Sequence, residues 1–445
     1  MKTPIVDFAK EYKSKNALRL HMPGHKGLCN NFAEPFDITE IDGADSLFSA
    51  NGIIKQSMDN ASELFGADTF YSTEGSSLSI RAMLYLTLKY AIEKGKKPII
   101  LAGRNAHKTL VLASSVLDLD IRWIKTDGNY LTCNVDAKTL ENQLCSMQEK
   151  PVAVYLTSPD YLGNQCDIQG LSCVCKKYGV LLLVDNAHGA YLKFLQNDSH
   201  PITKGADMCC DSAHKTLPAL TGASYLHINK NADGFFKENA LDALALFGST
   251  SPSYLILQSL DSLNAYLDNG YKEKLNAFAK KVDLLKERLT NLGFTLIGNE
   301  KLKITISTKP YGYTGNQINQ ILQSDGIVCE FYDDDFIVFM LSVEFSDADL
   351  LRLEKALEKI DKKQPITVLP PVMQLPNKAL SIKDGMFSKA EEVDIDHALG
   401  KIYASATVSC PPAVPIVISG EVIDKNAIEC FKYYKIQKVK VVKKD

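Results

Sequence analysis

Three short runs, PIILAG at 98–103, VAVYLTS at 152–158 and VLLLVDN at 180–186, constrain this chain more than anything else in it. Each is apolar up to its last one or two residues, and stretches with helical spacing (KTLVLASSVLD, DAKTLENQLCSMQEK, LSCVCKKYG) separate them. A strand apolar on both faces must be covered on both. Strands alternating with helices form parallel crossovers, so the pattern predicts an α/β fold around a large, mostly parallel sheet.

Other segments have a different texture. The first fifty residues, with HMPGHKG and DITEIDGADSLF, offer turn residues without a sustained period and are expected to form an irregular arm over 1–50. A large domain follows over 51–268. A long helical stretch, YKEKLNAFAKKVDLLKERLTNLG, then leads into FTLIG, KLKITIS, a helix near NQINQILQ, and the strands IVCEFY and FIVFMLS, which suits a smaller α+β domain over 269–365. The proline-rich TVLPPVMQLPNKAL introduces a last region over 366–445, whose end, KIQKVKVVKKD, reads as a solvated tail.

Composition removes several functions. A net charge of −3 leaves no basic surplus for a general nucleic-acid binder. No apolar run is long enough to cross a bilayer, and MKTPIVDFAKEYKSK lacks the apolar core of a signal peptide, so a cytoplasmic protein without membrane partners is expected. The 11 cysteines form no C-x-x-C pair, which points to buried free thiols and to no metal site.

Ligands of open parallel sheets sit beyond the carboxyl ends of the strands, so the residues just after the apolar runs deserve the closest reading. STEGSS at 72–77 opens a helix, where backbone N–H groups with Ser76 and Ser77 could cradle a phosphate or simply cap the helix. His107 stands in GRNAHKTL between a strand and a helix. Asp185 ends a strand so apolar that its carboxylate needs a cationic or hydrogen-bonding partner. Lys215 follows MCCDS within DSAHKTL. A phosphate cup, a flat ring-facing group, a carboxylate for a pyridinium nitrogen and an amine for a Schiff base together suit pyridoxal 5′-phosphate.

These motifs, with TSPDYLG at 157–163, STSPSYLILQSLD at 249–261 and PPAVPIVISGE at 411–421, resemble the Orn/Lys/Arg decarboxylase family over nearly the whole chain. The resemblance implies the aspartate aminotransferase-like fold type I, without the extra N-terminal wing domain of longer members. It implies that 51–268 binds the cofactor and that 366–445 is a family-specific subdomain. By the same resemblance Lys215 holds the cofactor's aldehyde carbon, Asp185 partners the ring nitrogen, His107 stacks on the ring and Ala187 lies on its other face. Ser76, Ser77, Ser212 and His214 correspond to phosphate contacts, and His188 to a position near the cofactor. Ser251 resembles a residue that reaches a partner's cofactor, which implies a homodimer as the minimum unit.

The implied reaction is decarboxylation of arginine, lysine or ornithine, as in polyamine metabolism, with Lys215 or His107 returning the proton. Glu40, Asp42, Asp160 and Glu421 are candidates to meet the substrate's cationic end. Departures from the family pattern are Glu74 for asparagine, Asn186 for glutamate, and Cys410 and Ala413 for tyrosine and glycine; they bear on substrate identity more than on reaction class. An aminotransferase or lyase would need an arginine clamp, for which the C-terminal third offers only Arg352. A catalytically silent regulatory homologue would have lost a cofactor group, whereas Lys215, Asp185 and His107 are all present.

Overall fold

The computed structural model describes residues 1–29, 32–126, 135–410 and 414–443. Seven strands frame the region of interest: β1 (Asp68–Ser72), β2 (Ile99–Ala102), β3 (Asp120–Trp123), β4 (Ala153–Thr157), β5 (Leu181–Asp185), β6 (Met208–Asp211) and β7 (Ser224–Ile228). The three apolar runs of the sequence are β2, β4 and β5, and nearly every residue in them is buried. The chain divides into two compact units.

The first unit comprises residues 1–97 and 175–274. Its strands run in the order β1-β7-β6-β5, with β5 and β6 parallel and β7 antiparallel to both β6 and β1. That mixture has a geometric consequence. The carboxyl ends of β5, β6 and β1 and the amino end of β7 share one sheet edge, because Asp185 registers with Cys210, Asp211 with Tyr225, and Ser72 with Ser224. The helix Ser76–Glu93, which buries Leu78, Ile80, Ala82, Met83 and Leu86, packs on β6 and β7.

Within the expected irregular arm the structure has an 11-residue helix, Pro4–Ser14. Pro4 suits a first turn, but Thr3 makes no side-chain cap. The Asp261 carboxylate caps it instead, accepting Ile5 N at 2.9 Å and Val6 N at 3.0 Å from 256 and 255 residues away. The cysteines also divide differently from expectation. Cys175, Cys209, Cys210 and Cys430 are buried, whereas Cys29, Cys145 and Cys173 are exposed. Residues two apart on the helix Ile168–Tyr178 point to nearly opposite faces, which separates Cys173 from Cys175.

The second unit comprises residues 98–174 and 275–445. It contains the parallel run β4-β2-β3 and an antiparallel sheet of β8 (Thr295–Ile297), β9 (Lys303–Ser307), β10 (Phe331–Tyr332) and β11 (Phe336–Met340), in the order β10-β11-β9-β8. Only the last two residues of IVCEFY form strand. Ile327 N still bonds to Leu322 O, closing the helix Gly315–Ser324, so the chain is turning where a strand was expected.

The C-terminal portion adds β12 (Ala390–Asp394), β13 (Thr407–Cys410), β14 (Val414–Ile418) and β15 (Lys438–Val442). The lysine-rich end is therefore not a solvated tail. β15 pairs antiparallel with β12, and its period of two sends Val439 and Val441 into a core with Tyr403, Ile416, Val417 and Phe431 while Lys438 and Lys440 face water.

Candidate active site

In the first unit, the shared sheet edge gathers most of the residues singled out in the sequence. The helix Ser76–Glu93 starts without a side-chain cap, its N-cap being Gly75 at φ +70°. Its leading N–H groups thus have no side-chain cap, Ser76 and Ser77 are half-buried beside them, and the helix dipole there favours an anion. Ser212 Oγ donates to Ser76 Oγ at 2.9 Å, joining the segment after β6 to this cradle. His214 is pinned by Nδ1 to Ala223 O at 2.8 Å, which requires the proton on Nδ1. Burial, with a smaller push from Lys215, lowers the His214 pKa against the opposing bond to Ala223. Gly222, at φ +100°, has no room for a side chain, because a Cβ there would lie 2.8 Å from Thr73 O.

Lys215 is exposed, with Nζ 3.1 Å from His188 Nε2. Asp185 is 2% exposed; its Oδ1 accepts Ala187 N at 3.2 Å and the Cys210 thiol at 3.5 Å. Burial, reinforced by the Asp185 charge, pushes that thiol's pKa up, so Cys210 stays a neutral donor. Ala187 and His188 are buried beside them. An uncapped helix start with two serines, an accessible amine and a buried acid, all carried by one sheet edge, fit the phosphate, aldehyde and ring nitrogen of pyridoxal 5′-phosphate.

The same strands bury a second polar centre. Asp211 Oδ2 lies 2.9 Å from His200 Nε2 and 3.2 Å from His227 Nε2, and Oδ1 accepts Asn186 Nδ2 at 2.7 Å. Burial works to raise this carboxyl's pKa, but the two imidazoles outweigh it and hold the acid below the usual carboxylate range. His227 Nδ1 pairs with Thr69 Oγ1 at 2.9 Å. His200, Cys209 and Asp211 present possible metal-ligand atoms within 4.8 Å of one another, in a site where the carboxylate already bonds two imidazoles and an amide. Asn186 explains the glycine after His188, since a Cβ on Gly189 would lie 2.0 Å from Asn186 Oδ1. Asp211 and its histidines escaped the sequence reading, although Asp211 ends an apolar strand just as Asp185 does.

Around the rim, Glu74 is exposed and its Oε1 accepts Ser249 N at 2.6 Å, which ties it to the STSPSY segment. Ser251 is exposed, and its N–H donates to Ser249 Oγ at 3.2 Å. Glu40 and Asp42 are both exposed.

The second unit holds His107, Asp160 and Glu421. His107 is exposed and caps the helix Lys108–Leu117, with Nδ1 2.8 Å from Thr109 Oγ1. Asp160 is buried; its oxygens accept Asn164 N at 2.8 Å and Asn164 Nδ2 at 2.9 Å, and burial pushes its pKa up to about 6. Glu421 is 2% exposed and forms a two-pronged ion pair with Arg104 at 2.7 and 2.8 Å, while also accepting Trp123 Nε1 and Ile418 N. Its charge is thus met within the protein. Arg352 donates to Asp325 O and Gly326 O beyond the end of the helix Gly315–Ser324. Ala413 lies outside the described residues, and Cys410 ends β13.

A family described as Orn/Lys/Arg decarboxylase, major domain, matches residues 3–293, and one described as Orn/Lys/Arg decarboxylase, C-terminal domain, matches residues 359–441. The chain is 29% identical to the protein YaaO of Bacillus subtilis over 96% of this chain and 93% of that one. It is 28% identical to the arginine decarboxylase of the same organism over 96% and 92%. The structure of the constitutive lysine decarboxylase of Escherichia coli, 16% identical, matches 99% of this chain and 82% of its own with a TM-score of 0.79, a likeness of fold.

Proposed function

The chain belongs to the Orn/Lys/Arg decarboxylase family, and from that premise we propose that it removes the carboxylate of a basic L-amino acid, arginine before lysine or ornithine, to supply amines for polyamine synthesis. It is a pyridoxal 5′-phosphate-dependent decarboxylase of fold type I. The preference for arginine rests on the name borne by a relative of nearly the same length. The observation that carries the reading is the convergence of Lys215, Asp185, Ser76, Ser77, Ser212 and His214 on one sheet edge.

When bound, the cofactor supplies a protonated pyridine ring that takes up the electron pair left as carbon dioxide departs. Asp185, fixed by Ala187 N and shielded from water, holds the proton on the ring nitrogen. Ser76, Ser77, Ser212 and His214 would hold the phosphate, and, as the family resemblance implies, Ala187 and His107 would lie against the ring. Lys215 would hold the cofactor at its aldehyde carbon, and Lys215 or His107 would return a proton to the α-carbon; His188 Nε2 lies 3.1 Å from Lys215 Nζ and would orient that amine. Glu40 and Asp42, exposed in the first unit, are the better candidates for the substrate's cationic end, since Asp160 and Glu421 are engaged internally. Ser251 of the partner subunit completes the site in a cytoplasmic homodimer.

The purified protein should absorb near ~420 nm, as a lysine–cofactor adduct does. Incubation with arginine, lysine and ornithine in turn should release carbon dioxide fastest with arginine. Lys215→Ala should abolish both the absorption and turnover. Amino-group transfer to a keto acid without gas release would overturn the reading.

A further inference from the structure

We propose that Arg104 and Glu421 are positioning residues for His107, through which the C-terminal portion of the chain tunes the reaction; the inference rests on the decarboxylase reading above. Arg104 is 1% exposed, and its three guanidinium nitrogens are all engaged. Nε donates to Pro415 O at 2.9 Å, Nη1 to Glu421 Oε1 at 2.7 Å, and Nη2 to Ile416 O at 3.1 Å and Glu421 Oε2 at 2.8 Å. Its carbon Cζ stands 4.7 Å over the ring of Trp123, the single tryptophan of the chain, whose Nε1 donates to Glu421 Oε1 at 3.2 Å. Ile418 N closes the set on Glu421 Oε2 at 2.9 Å.

A buried ion pair is a poor source of stability, because desolvation offsets most of its attraction and apolar residues of similar volume often serve as well. What such a pair does supply is direction. The guanidinium fork accepts few geometries, and this one is fixed by four acceptor oxygens from one short stretch, 415–421, with Ile418 N holding Glu421 in turn. His107 follows Arg104 by three residues. The intervening Ala106 is fully buried, Gly103 N is tied to Tyr155 O, and His107 itself caps the next helix. The backbone between the clamp and the imidazole therefore has little slack, and Glu421 sets where that backbone sits.

The test uses full-length holoenzyme carrying Glu421→Gln, which keeps the shape and removes the charge. We expect kcat to fall on the order of 100-fold, as for a reacting group displaced by about 1 Å, with KM little changed. The circular dichroism of the cofactor's visible band should change with it. In a His107→Ala background the same substitution should have little further effect on either readout, because the group it positions is gone. Equal losses in both backgrounds would overturn the proposal. So would a raised KM at constant kcat, which would make Glu421 a substrate contact. Should Glu421→Gln fail to fold, Trp123→Phe removes one donor while leaving the ion pair; a smaller loss with the same dependence on His107 supports the proposal, and a loss independent of His107 refutes it. A parent enzyme that releases no carbon dioxide from any basic amino acid would defeat the decarboxylase reading alone, since the dichroism cycle still tests positioning in the protein–cofactor complex.

Discussion

Asp211 and Asp261 lie in the same unit, both wholly buried, and their environments push them in opposite directions. Burial raises the pKa of each, since a charged carboxylate loses its hydration. Around Asp211 the imidazoles of His200 and His227 more than reverse that effect, and the acid is held below its ordinary value. Among the described residues the donors to Asp261 are neutral, Ser57 Oγ at 2.6 Å and the N–H groups of Ile5 and Val6, and burial pushes its pKa up to about 6. Hydrogen bonds satisfy the carboxylate in either place; what separates the two is that the partners of Asp211 include groups able to carry positive charge. Asp211 directly precedes the Ser212–Lys215 segment, whereas Asp261 holds the N-terminal helix Pro4–Ser14.

The largest effect should come from removing the ionised member of the pair. Asp211→Asn leaves two buried imidazoles without their acid and should lower stability by about 3 kcal/mol in urea unfolding near neutral pH. A loss no larger than that of Asp261→Asn would erase the distinction. Asn186→Ala comes next. It removes the amide that donates to Asp211 Oδ1, and stability should fall by about 1–3 kcal/mol while the acid stays paired with its histidines. If cofactor affinity then falls with Lys215 still in place, the buried centre and the cofactor edge are mechanically one.

Both centres show how far a sequence can be read. The strands β2, β4 and β5 were legible because covering both faces of a strand demands an unbroken apolar run, a local property. The gathering of Asp185, Lys215 and Ser76 on one sheet edge was legible because the ends of such strands are where ligands sit. Asp211, His200 and His227 were not, because their meaning lies in a meeting of three separate segments, and each alone looks like an ordinary polar residue. The helix Pro4–Ser14 was hidden for a related reason: its capping acid stands some 256 residues away. The Arg104–Glu421 clamp spans 317 residues in the same manner. The strand Lys438–Val442 is a different case, since its alternation was visible in KVKVV and the lysines outweighed the valines between them.

The smallest predicted effect is the most diagnostic. Asp261 has a folded pKa raised to about 6, against roughly 3.9 for an unperturbed aspartate. The folded state therefore binds the proton more tightly than the unfolded state does, and unfolding free energy gains a favourable contribution as pH falls through about 6, complete once the unfolded pKa is passed. His227 pulls the other way. Burial lowers its folded pKa, so its contribution is fully present above the unfolded value of about 6.5 and is lost as pH drops below it. The parent protein's pH profile mixes the two, and the difference between parent and Asp261→Asn isolates the first. Because asparagine keeps an acceptor for Ile5 and Val6 but cannot titrate, the substitution should change stability by no more than about 1 kcal/mol at pH 7.5. It should then grow progressively more harmful, relative to the parent, between pH 6.5 and pH 5. Melting temperatures across that range are sufficient to see the trend. A difference that stays constant with pH would mean that Asp261 remains ionised in the fold, and that neutral donors alone can do for a buried acid what the imidazoles do for Asp211.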